Sequence, residues 1–546
     1  MAITLSGTGT QADVYGDLSG RGTISGSGTM EINENAVVSP GHVRTNTSAM
    51  INTLTFENPL TFTNLGAVGS QAQPQYLAHI GISNGDNGLP NDRIQYHNYD
   101  MTLTDLIGIQ VETATTLTAT DLHGDSFTII SSKDGTSSGS LIGAGNPNIV
   151  EGGTILALID FTVSNNSTNG KDDVTLTANN QGTSALTSHS SAQTGNRQSG
   201  SSLLINASNQ GNTTISNALN TLLNNQVSTH LDSIHAEPFS SWLTVKLEHS
   251  DQILASVLHR EQTHPEQGVW GHLGHLYGQI EGNNNLGNFD YHLTEMVFGR
   301  DLQKTKDSNF GLYAAIAHSD MSEHDLVNQS FESYGFHVGA YGYQSLEDWR
   351  FSYAGGVGHI ENESERRVAL GTSTGSNTDR FAGRTVYAGI EARRRQQKIN
   401  AWLSIAPAVS VLASRYEQNK VSEHGENSLA LTVDKADATS VITAAGLYAN
   451  IGVERWQQVH PTALLRYEHD WRAISRGAHQ VSVALSDHPD HKQSFEGQHR
   501  GANIFTVGLG FENAEDSPWK ISGDVVLGLH DHGEELSAGL VAELLF

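Results

Sequence analysis

Apolar and polar residues alternate along the C-terminal half of the chain, beginning at Gly268. Alternation predicts strands with one apolar and one polar face. We expect about twelve strands, most of them longer than is usual in soluble sheets. They lie near residues 268–280, 287–303, 308–320, 331–346, 348–360, 380–397, 399–416, 440–456, 459–473, 500–512, 517–531 and 535–546.

The connections between these strands alternate in length. Short polar turns are expected at 304–308, 346–348, 396–398, 457–459 and 513–516, and long loops at 321–330, 361–379, 417–439 and 474–499. An even number of long strands, with short turns at one end and long loops at the other, is typical of outer-membrane barrels. A soluble sheet with one wet face explains the alternation but leaves the loop asymmetry without a cause. We therefore predict a 12-stranded antiparallel outer-membrane β-barrel over residues 265–546.

The two faces of the predicted strands differ in chemistry. Arg466, Glu468 and Asp470 share one face of their strand, whereas Leu465 and Tyr467 lie on the other. A charged lumen and an apolar, lipid-facing exterior explain this pattern. Tryptophans near strand ends are expected to form an interfacial girdle. They are Trp270, Trp349, Trp402, Trp456, Trp471 and Trp519.

The N-terminal part of the chain has a different pattern. Residues 1–205 contain short β segments separated by Gly, Asn, Asp and Ser, and no helical period persists. A β-sandwich is possible, but Gly-x-Gly runs and few aromatic residues favour a β-solenoid (parallel β-helix). Residues 206–264 place apolar positions at helical spacing from Ile215 to Ile234 and again from Leu243 to Leu258. The predicted fold is all-β with a helical linker.

Composition narrows the classes of partner and chemistry. The formal net charge of −28 disfavours nucleic acid, which needs clustered Lys and Arg. The chain has no Cys, so disulfides, thiol catalysis and Cys-based zinc sites are excluded. We see no phosphate-binding Gly-rich loop and expect no cofactor. Residues 1–20 contain no signal peptide, which suggests a fragment of a longer protein.

Three segments resemble the autotransporters, the type V secretion proteins of Gram-negative bacteria. They are residues 270–301, residues 402–417 with 466–471, and the last strand, whose alternating residues Leu540, Ala542, Leu544 and Phe546 are similar to a barrel-assembly signal. Residues 26–55 resemble, more loosely, the β-solenoid that precedes such barrels. The resemblance implies a right-handed parallel β-helical passenger, a barrel in outer-membrane lipid, and a linker helix in the lumen.

The resemblance also implies a function. The monomeric barrel, with the barrel-assembly machinery, delivers its own passenger to the cell surface, where the passenger remains or is secreted. Two alternatives stay open. Residues 1–205 themselves act as a surface adhesin or self-association factor, or the chain is the tail of a secreted hydrolase whose catalytic domain lies upstream.

Candidate chemistry is sparse, and we predict neither an enzyme nor a metal site. In some autotransporters adjacent linker asparagines cleave the chain, and Asn224 and Asn225 are the matching pair, with Asp232 at a similar spacing. Their flanking residues depart from that subset. Lumenal acids such as Glu295, Glu391 and Glu468 are possible assistants. The Gly-x-Ser-x-Gly match at 371–375 and the His/Asp cluster at 487–499 are better explained by chance.

Overall fold

The structure is a computed structural model that describes residues 2–5, 10–33, 36–40, 53–62, 75–80, 91–97, 99–102, 108–113, 117–132, 141–142, 148–150, 155–168, 171–193, 195–258, 268–283, 286–305, 307–323, 328–371, 373–425, 428–452, 459–471, 479–513 and 519–545. The chain divides into two compact units. The first comprises residues 1–193, 208–230 and 370–373, and the second comprises residues 194–207, 231–369 and 374–546.

Short parallel strands build the first unit. Its first fifteen strands are β1 (Ala2–Leu5), β2 (Gln11–Val14), β3 (Asp17–Ser19), β4 (Gly22–Gly26), β5 (Thr29–Ile32), β6 (Val37–Ser39), β7 (Thr53–Glu57), β8 (Leu60–Phe62), β9 (Gln75–Ile80), β10 (Arg93–Tyr96), β11 (Met101–Thr102), β12 (Gly108–Thr113), β13 (Ser126–Ser132), β14 (Leu141–Ile142) and β15 (Asn148–Val150). Each strand from β1 to β12 pairs in parallel with the strand three places later, which gives three sheets and five coils. The predicted parallel β-helix is confirmed.

Apolar side chains stack along the inside of the β-helix. In one sheet Leu54, Ile94 and Ile130 are aligned by strand register, and all are at most 5% exposed. Met30, Leu60 and Met101 form an equivalent row in the second sheet. Because each coil buries its apolar face only against its neighbours, stability comes from this stacking.

The parallel stack ends in an antiparallel hairpin. Strand β16 (Ile159–Thr168) pairs with β17 (Lys171–Asn180), and β17 pairs in antiparallel fashion with β13. The short helix α1 (Ala119–Leu122) precedes β13 and begins with a capping box in which Thr118 and Asp121 satisfy each other's backbone amides. The hairpin covers one edge of the last coil in this sheet.

Helices occupy the middle of the chain. They are α2 (Thr183–Ser188), α3 (Gly195–Asn209), α4 (Thr213–Asn220), α5 (Val227–Ile234) and α6 (Glu237–Leu258). None of the helices in the described ranges has the length and apolar content of a membrane span. The apolar period from Ile215 to Ile234 does not form one helix, because Leu222 and Asn224 make backbone bonds to residues 155–157 instead.

The second unit contains β18 (Gly268–Ile280), β19 (Phe289–Lys304), β20 (Ser308–Glu323), β21 (Gln329–Leu346), β22 (Trp349–Leu370), β23 (Ser373–Arg394), β24 (Gln397–Lys398), β25 (Leu403–Gln418), β26 (Val421–Ser422), β27 (Leu431–Val433), β28 (Ala436–Ile451), β29 (Val459–Asp470), β30 (Gln480–Leu485), β31 (Gln493–Glu496), β32 (Asn503–Asn513), β33 (Trp519–His530) and β34 (Gly533–Leu545). Twelve long strands form an antiparallel barrel, and the two-residue β24 extends a turn. Strands β18 and β34 close the barrel along their whole length.

Three predicted loops contain strands. Residues 361–379 are not a long loop, because β22 and β23 continue as a hairpin to Leu370 and Ser373. The loops at 417–439 and 474–499 together form a four-stranded sheet in the order β26–β27–β30–β31. Its apolar side chains, including Val433, Val483 and Phe495, are fully buried. Apolar residues within an exposed loop thus signal a second small core.

Candidate functional site: the barrel lumen and its helix

Helix α6 lies inside the barrel. Of its 22 residues, all but Gln252, Ala255 and Ser256 are buried. At 1.5 Å per residue the helix is about 33 Å long, close to the thickness of a bilayer core. Pro238 is in its first turn, where the missing backbone donor has no helical partner to lose.

The helix runs from the long-loop end of the barrel to the short-turn end. At its start, Glu237 accepts a bond of 3.4 Å from the Gly287 amide, next to the first barrel connection. At its end, Leu258 packs with Trp270 and Tyr341, which lie near the short turns. The chain before α6 therefore leaves this barrel at the long-loop end.

Aromatic contacts fix the first half of α6 to the wall. Phe239 meets the edge of the Phe331 ring at 5.1 Å, and Trp242 stacks on the same ring at 5.1 Å. The Trp242 indole also donates a 3.1 Å hydrogen bond to the Asn362 side chain. Because Trp242 is fully buried, this partner removes the cost of an unsatisfied indole N–H.

A buried lysine occupies the middle of the helix. Lys246 donates to the hydroxyls of Ser319 and Ser333 on the wall and lies 4.1 Å from the centre of the Trp242 ring. His249 approaches the Ser319 hydroxyl to 3.0 Å. A buried ammonium needs hydrogen-bond acceptors and an aromatic face to replace water. The wall provides acceptors and α6 itself provides the ring, so a polar helix is stable in this lumen.

The short-turn end of the lumen is closed by a second group of contacts. The Trp270 indole donates to the Tyr341 hydroxyl at 2.8 Å, and Tyr341 donates to Asp301 at 2.7 Å. Asn309 donates to the same carboxylate at 2.9 Å. Trp270 is only 3% exposed and points inward, so its predicted place in the outer girdle is wrong. The side-chain parity of β18 decides this, since residue 270 shares the inward face with Gly268.

The outer face of the barrel is apolar over a band of membrane height. On β22, outward side chains are apolar from Trp349 to Val357 and become polar at His359. These nine residues span about 30 Å along a strand, or about 23 Å across a bilayer at the usual tilt. Trp349, Trp402 and Trp471 are exposed, as predicted for a girdle. Trp456 and the Trp519 side chain lie outside the described part of the chain.

The last strand forms half of the barrel seam. Leu540 and Leu544 on β34 are paired with Leu273 and Val269 on β18. Leu540 is 47% exposed and faces outward, and Ala542 shares that face. Phe546 lies outside the described residues. The role of Leu540, Ala542, Leu544 and Phe546 as an assembly signal stays a prediction.

The predicted cleavage pair lies outside α6. Asn224 and Asn225 begin a short 3-10 turn, and the Asn224 amide donates to the Ile155 carbonyl at 2.6 Å. Asn225 is exposed. Glu295, Glu391 and Glu468 face the barrel interior. Cleavage at this pair stays a prediction.

Within the described ranges, no group of three His, Cys, Asp or Glu is placed to hold a metal ion. The His and Asp residues at 487–499 form no such group. The Gly-x-Ser-x-Gly match falls at the turn between β22 and β23, where Gly371 has φ of +55°. That is a hairpin turn, whereas a nucleophile elbow needs a strand followed by a helix.

Sequence reasoning missed two ion pairs near the long-loop end, one fully buried and one partly buried. Arg366 forms a bidentate pair with Glu423 at 2.6 and 2.9 Å, and both side chains are fully buried. Arg197 holds Asp232 in the same way at 2.6 and 2.7 Å. The partners are 57 and 35 positions apart in the chain, so local spacing carries no signal of either pair.

The comparison with known families agrees with this geometry. Residues 269–526 match the family model described as the autotransporter β-domain. The C-terminal half of the chain is an autotransporter β-domain. The autotransporter β-domain is an outer-membrane translocator, and the chain therefore acts in the outer membrane with a passenger at the cell surface.

Solved autotransporter barrels are similar to this one at low identity. The translocator domain of NalP from Neisseria meningitidis is 11% identical, with a TM-score of 0.44, over 57% of this chain and 99% of that structure. The transport unit of AIDA-I from Escherichia coli is 14% identical, with a TM-score of 0.38, over 56% and 99%. The β-domain of Bordetella BrkA is 14% identical, with a TM-score of 0.38, over 52% and 100%. No curated protein matches.

Proposed function

We propose that this autotransporter exports and anchors its own residues 1–205, with residues 206–264 as the linker and residues 265–546 as the translocator. The direction of α6 carries the proposal. Since α6 enters at the long-loop end and finishes at the short turns, the preceding chain emerges on the side of the long loops. In outer-membrane barrels that side faces the outside.

The physical basis of transport lies in the two kinds of sheet. Backbone polar groups in lipid must be paired, and barrel closure between β18 and β34 meets this need. The passenger strands pair with each other coil by coil. Stacking of each new coil on a formed neighbour favours outward movement without ATP. Folding outside the membrane then drives export.

Transport of this kind requires no covalent bond to be made or broken in the barrel. The proposed role of the chain is non-enzymatic, and the barrel-assembly machinery and outer-membrane lipid are its proposed partners. Release of the passenger by cleavage between Asn224 and Asn225 is a separate event, which an Asn225→Ala variant tests by abolishing a smaller barrel-sized band.

Epitope accessibility tests the proposal. We would express the full chain behind a signal peptide in a Gram-negative host, with one epitope after Tyr15, which is 71% exposed. A matched variant would carry the same epitope at 399–401, an exposed short turn of the barrel. We expect antibody to label the first variant on intact cells and the second only after permeabilisation.

Two outcomes would contradict the proposal. Labelling of the Tyr15 epitope only after permeabilisation would show that the passenger stays inside. Recovery of the full chain in the soluble fraction, without a heat-dependent shift in gel migration, would show that no membrane barrel forms.

A further inference from the structure

Helix α6 does not fill the lumen evenly. It contacts β19, β20, β21, β25 and β28 on one side. On the opposite side, a cavity of about 340 Å³ separates it from β29, β32, β33 and β34. The three helix residues that are not buried, Gln252, Ala255 and Ser256, line this cavity. The lumen therefore has one packed side and one open side.

A row of glycines lines this space. Gly274, Gly539, Asp524 and Gly510 are successive register partners on β18, β34, β33 and β32, and all four face the lumen. Three of the four inward positions in this row thus carry no side chain. Asp524 is exposed although it faces inward. Solvent therefore reaches the cavity wall.

The cavity suits water and cations. Eight Asp and Glu line it against four Lys and Arg. The volume has room for roughly ten water molecules, at about 30 Å³ for each in the liquid. An excess of carboxylates along a water-filled passage attracts cations and excludes anions.

The cavity also spans the height of the wall. Along β32 its lining runs from Ile504 to Asn513, and along β34 it runs from Glu535 to Glu543. These residues reach from the long-loop end of the barrel to the short-turn end. A passage of this extent needs a barrier somewhere along it.

A segment between β31 and β32 supplies a barrier at the long-loop end. We call residues Gly497–Arg500 the latch. The Gln498 amide donates to the Ser241 hydroxyl at 2.8 Å, and Thr244 donates to the Gln498 carbonyl at 3.0 Å. The Gln498 side chain donates to the Glu281 carbonyl, next to the end of β18. The latch therefore bridges α6 and the barrel rim.

Arg500 completes the latch. Its guanidinium lies 3.6 Å from Glu248 and 3.4 Å from Asp251, and the side chain is only 12% exposed. One face of α6 carries the residues that meet the latch, since they recur every three or four positions. They are Ser241, Thr244, Glu248 and Asp251. Gly497 allows the close approach, because a Cβ there would lie 2.4 Å from the Ser241 nitrogen.

We propose that the latch closes the outer end of a water-filled, cation-selective passage beside α6, and that the barrel conducts cations when the latch is released. The inference rests on the proposed translocator function. It explains how the translocator barrel stays sealed around the linker helix. Arg500 both blocks the mouth and places a positive charge in the path of cations.

Planar-bilayer conductance of the purified full chain tests this proposal. We expect Arg500→Ala to raise the single-channel conductance several-fold over that of the unchanged chain, with reversal potentials that report cation preference. Lys492→Ala is the matched control, because Lys492 lies just before β31, a few residues ahead of the latch, and forms an exposed pair with Asp434 at 2.7 Å. The control should leave conductance unchanged.

A second variant identifies the passage. Adding Gly539→Leu to Arg500→Ala should return conductance toward the original value, because the side chain narrows the passage. The nearest atoms to its Cβ would belong to the Asp524 carboxylate and the His272 ring. If Arg500→Ala loses its heat-dependent gel shift, Thr244→Val replaces it, and we expect a smaller rise in conductance.

Equal conductance in folded latch variants and in the original chain would overturn the proposal, as would anion preference. Failure of export is a distinct result, because it is measured by epitope labelling and not by current.

Discussion

The two units of this chain are both built from strands, yet they place apolar side chains on opposite faces. In the β-helix Leu54, Ile94 and Ile130 point inward and are buried together. In the barrel Leu509, Leu465 and Val525 point outward, while Arg466 and Glu468 face the lumen. The same two-residue alternation therefore gives two opposite arrangements of apolar side chains. The medium around the unit, water or lipid, decides which arrangement is stable.

The two units also satisfy their backbones differently. The β-helix pairs each coil with its neighbours in parallel and ends one sheet with the antiparallel β16–β17 hairpin. The barrel pairs its first strand with its last and leaves no edge. A coil can therefore be added to a β-helix, but a strand cannot be added to this barrel without reopening it.

The largest test of the comparison places a lysine at inward positions of both units. Ile94→Lys buries an ammonium in the β-helix core, where Ile94 is fully buried, and should cost more than about 4 kcal/mol. Ser537→Lys enters the acidic lumen cavity and should cost about 1 kcal/mol or less. Protease resistance of each unit against temperature provides the measurement. Similar losses in both variants would remove the contrast between the two interiors.

A second test places an arginine at outward positions. Leu509 is 67% exposed near the middle of β32, and Leu509→Arg should destabilise the barrel in lipid by about 2–4 kcal/mol. Thr29 is exposed on β5, and Thr29→Arg should change the stability of the β-helix by about 0.5 kcal/mol or less. Urea unfolding in lipid vesicles, followed by gel migration, measures the first effect. If the barrel tolerates Leu509→Arg as well as the β-helix tolerates Thr29→Arg, position 509 lies outside the bilayer.

The smallest expected effect concerns acid sensitivity next to α6. Burial lowers the pKa of His235 to about 3, with a further contribution from the positive charges of Arg197 and Arg366. Because the unfolded chain takes up a proton near pH 6.5 and the folded chain does not, acidification destabilises the fold from pH 6.5 down to about pH 3. At pH 5 the free energy of unfolding is about 2 kcal/mol lower than at pH 7.5. Urea unfolding of the full chain at pH 5 and pH 7.5 measures it.

His235→Gln is the control for this titration, since it removes the ionisable ring but keeps a polar side chain. The variant should lose most of the difference in stability between the two pH values. An unchanged difference would assign the acid sensitivity to other groups.

Much of the barrel was predictable because its signals are local. Alternation located all twelve long strands, and the predicted bounds of the first strand match the observed ones, Gly268–Ile280. The lengths of the connections indicated which end of the barrel faces the outside. The extensions of β22 and β23 were missed because polar residues such as Glu361 and Glu363 face outward there, beyond the apolar band. Outside the apolar band, the alternation of apolar and polar residues no longer distinguishes the outward face of a strand from its lumenal face.

The candidate site was less predictable. A helix in the lumen was expected from family resemblance, but its partners were not. Lys246 meets serines 73 and 87 residues away, and Arg500 meets Glu248 and Asp251 from about 250 residues away. Trp270 shows the same limit, since its position near a strand end did not reveal that it faces inward.

The sequence by itself determined the strand period, the helical segment before the barrel and the absence of thiol chemistry, because each is a property of neighbouring residues or of composition. Only the tertiary structure decided which wall α6 packs against, where glycines from three strands leave a cavity, and which loop segment covers it. Those features depend on register and closure, which bring together residues hundreds of positions apart through contacts that no local pattern records.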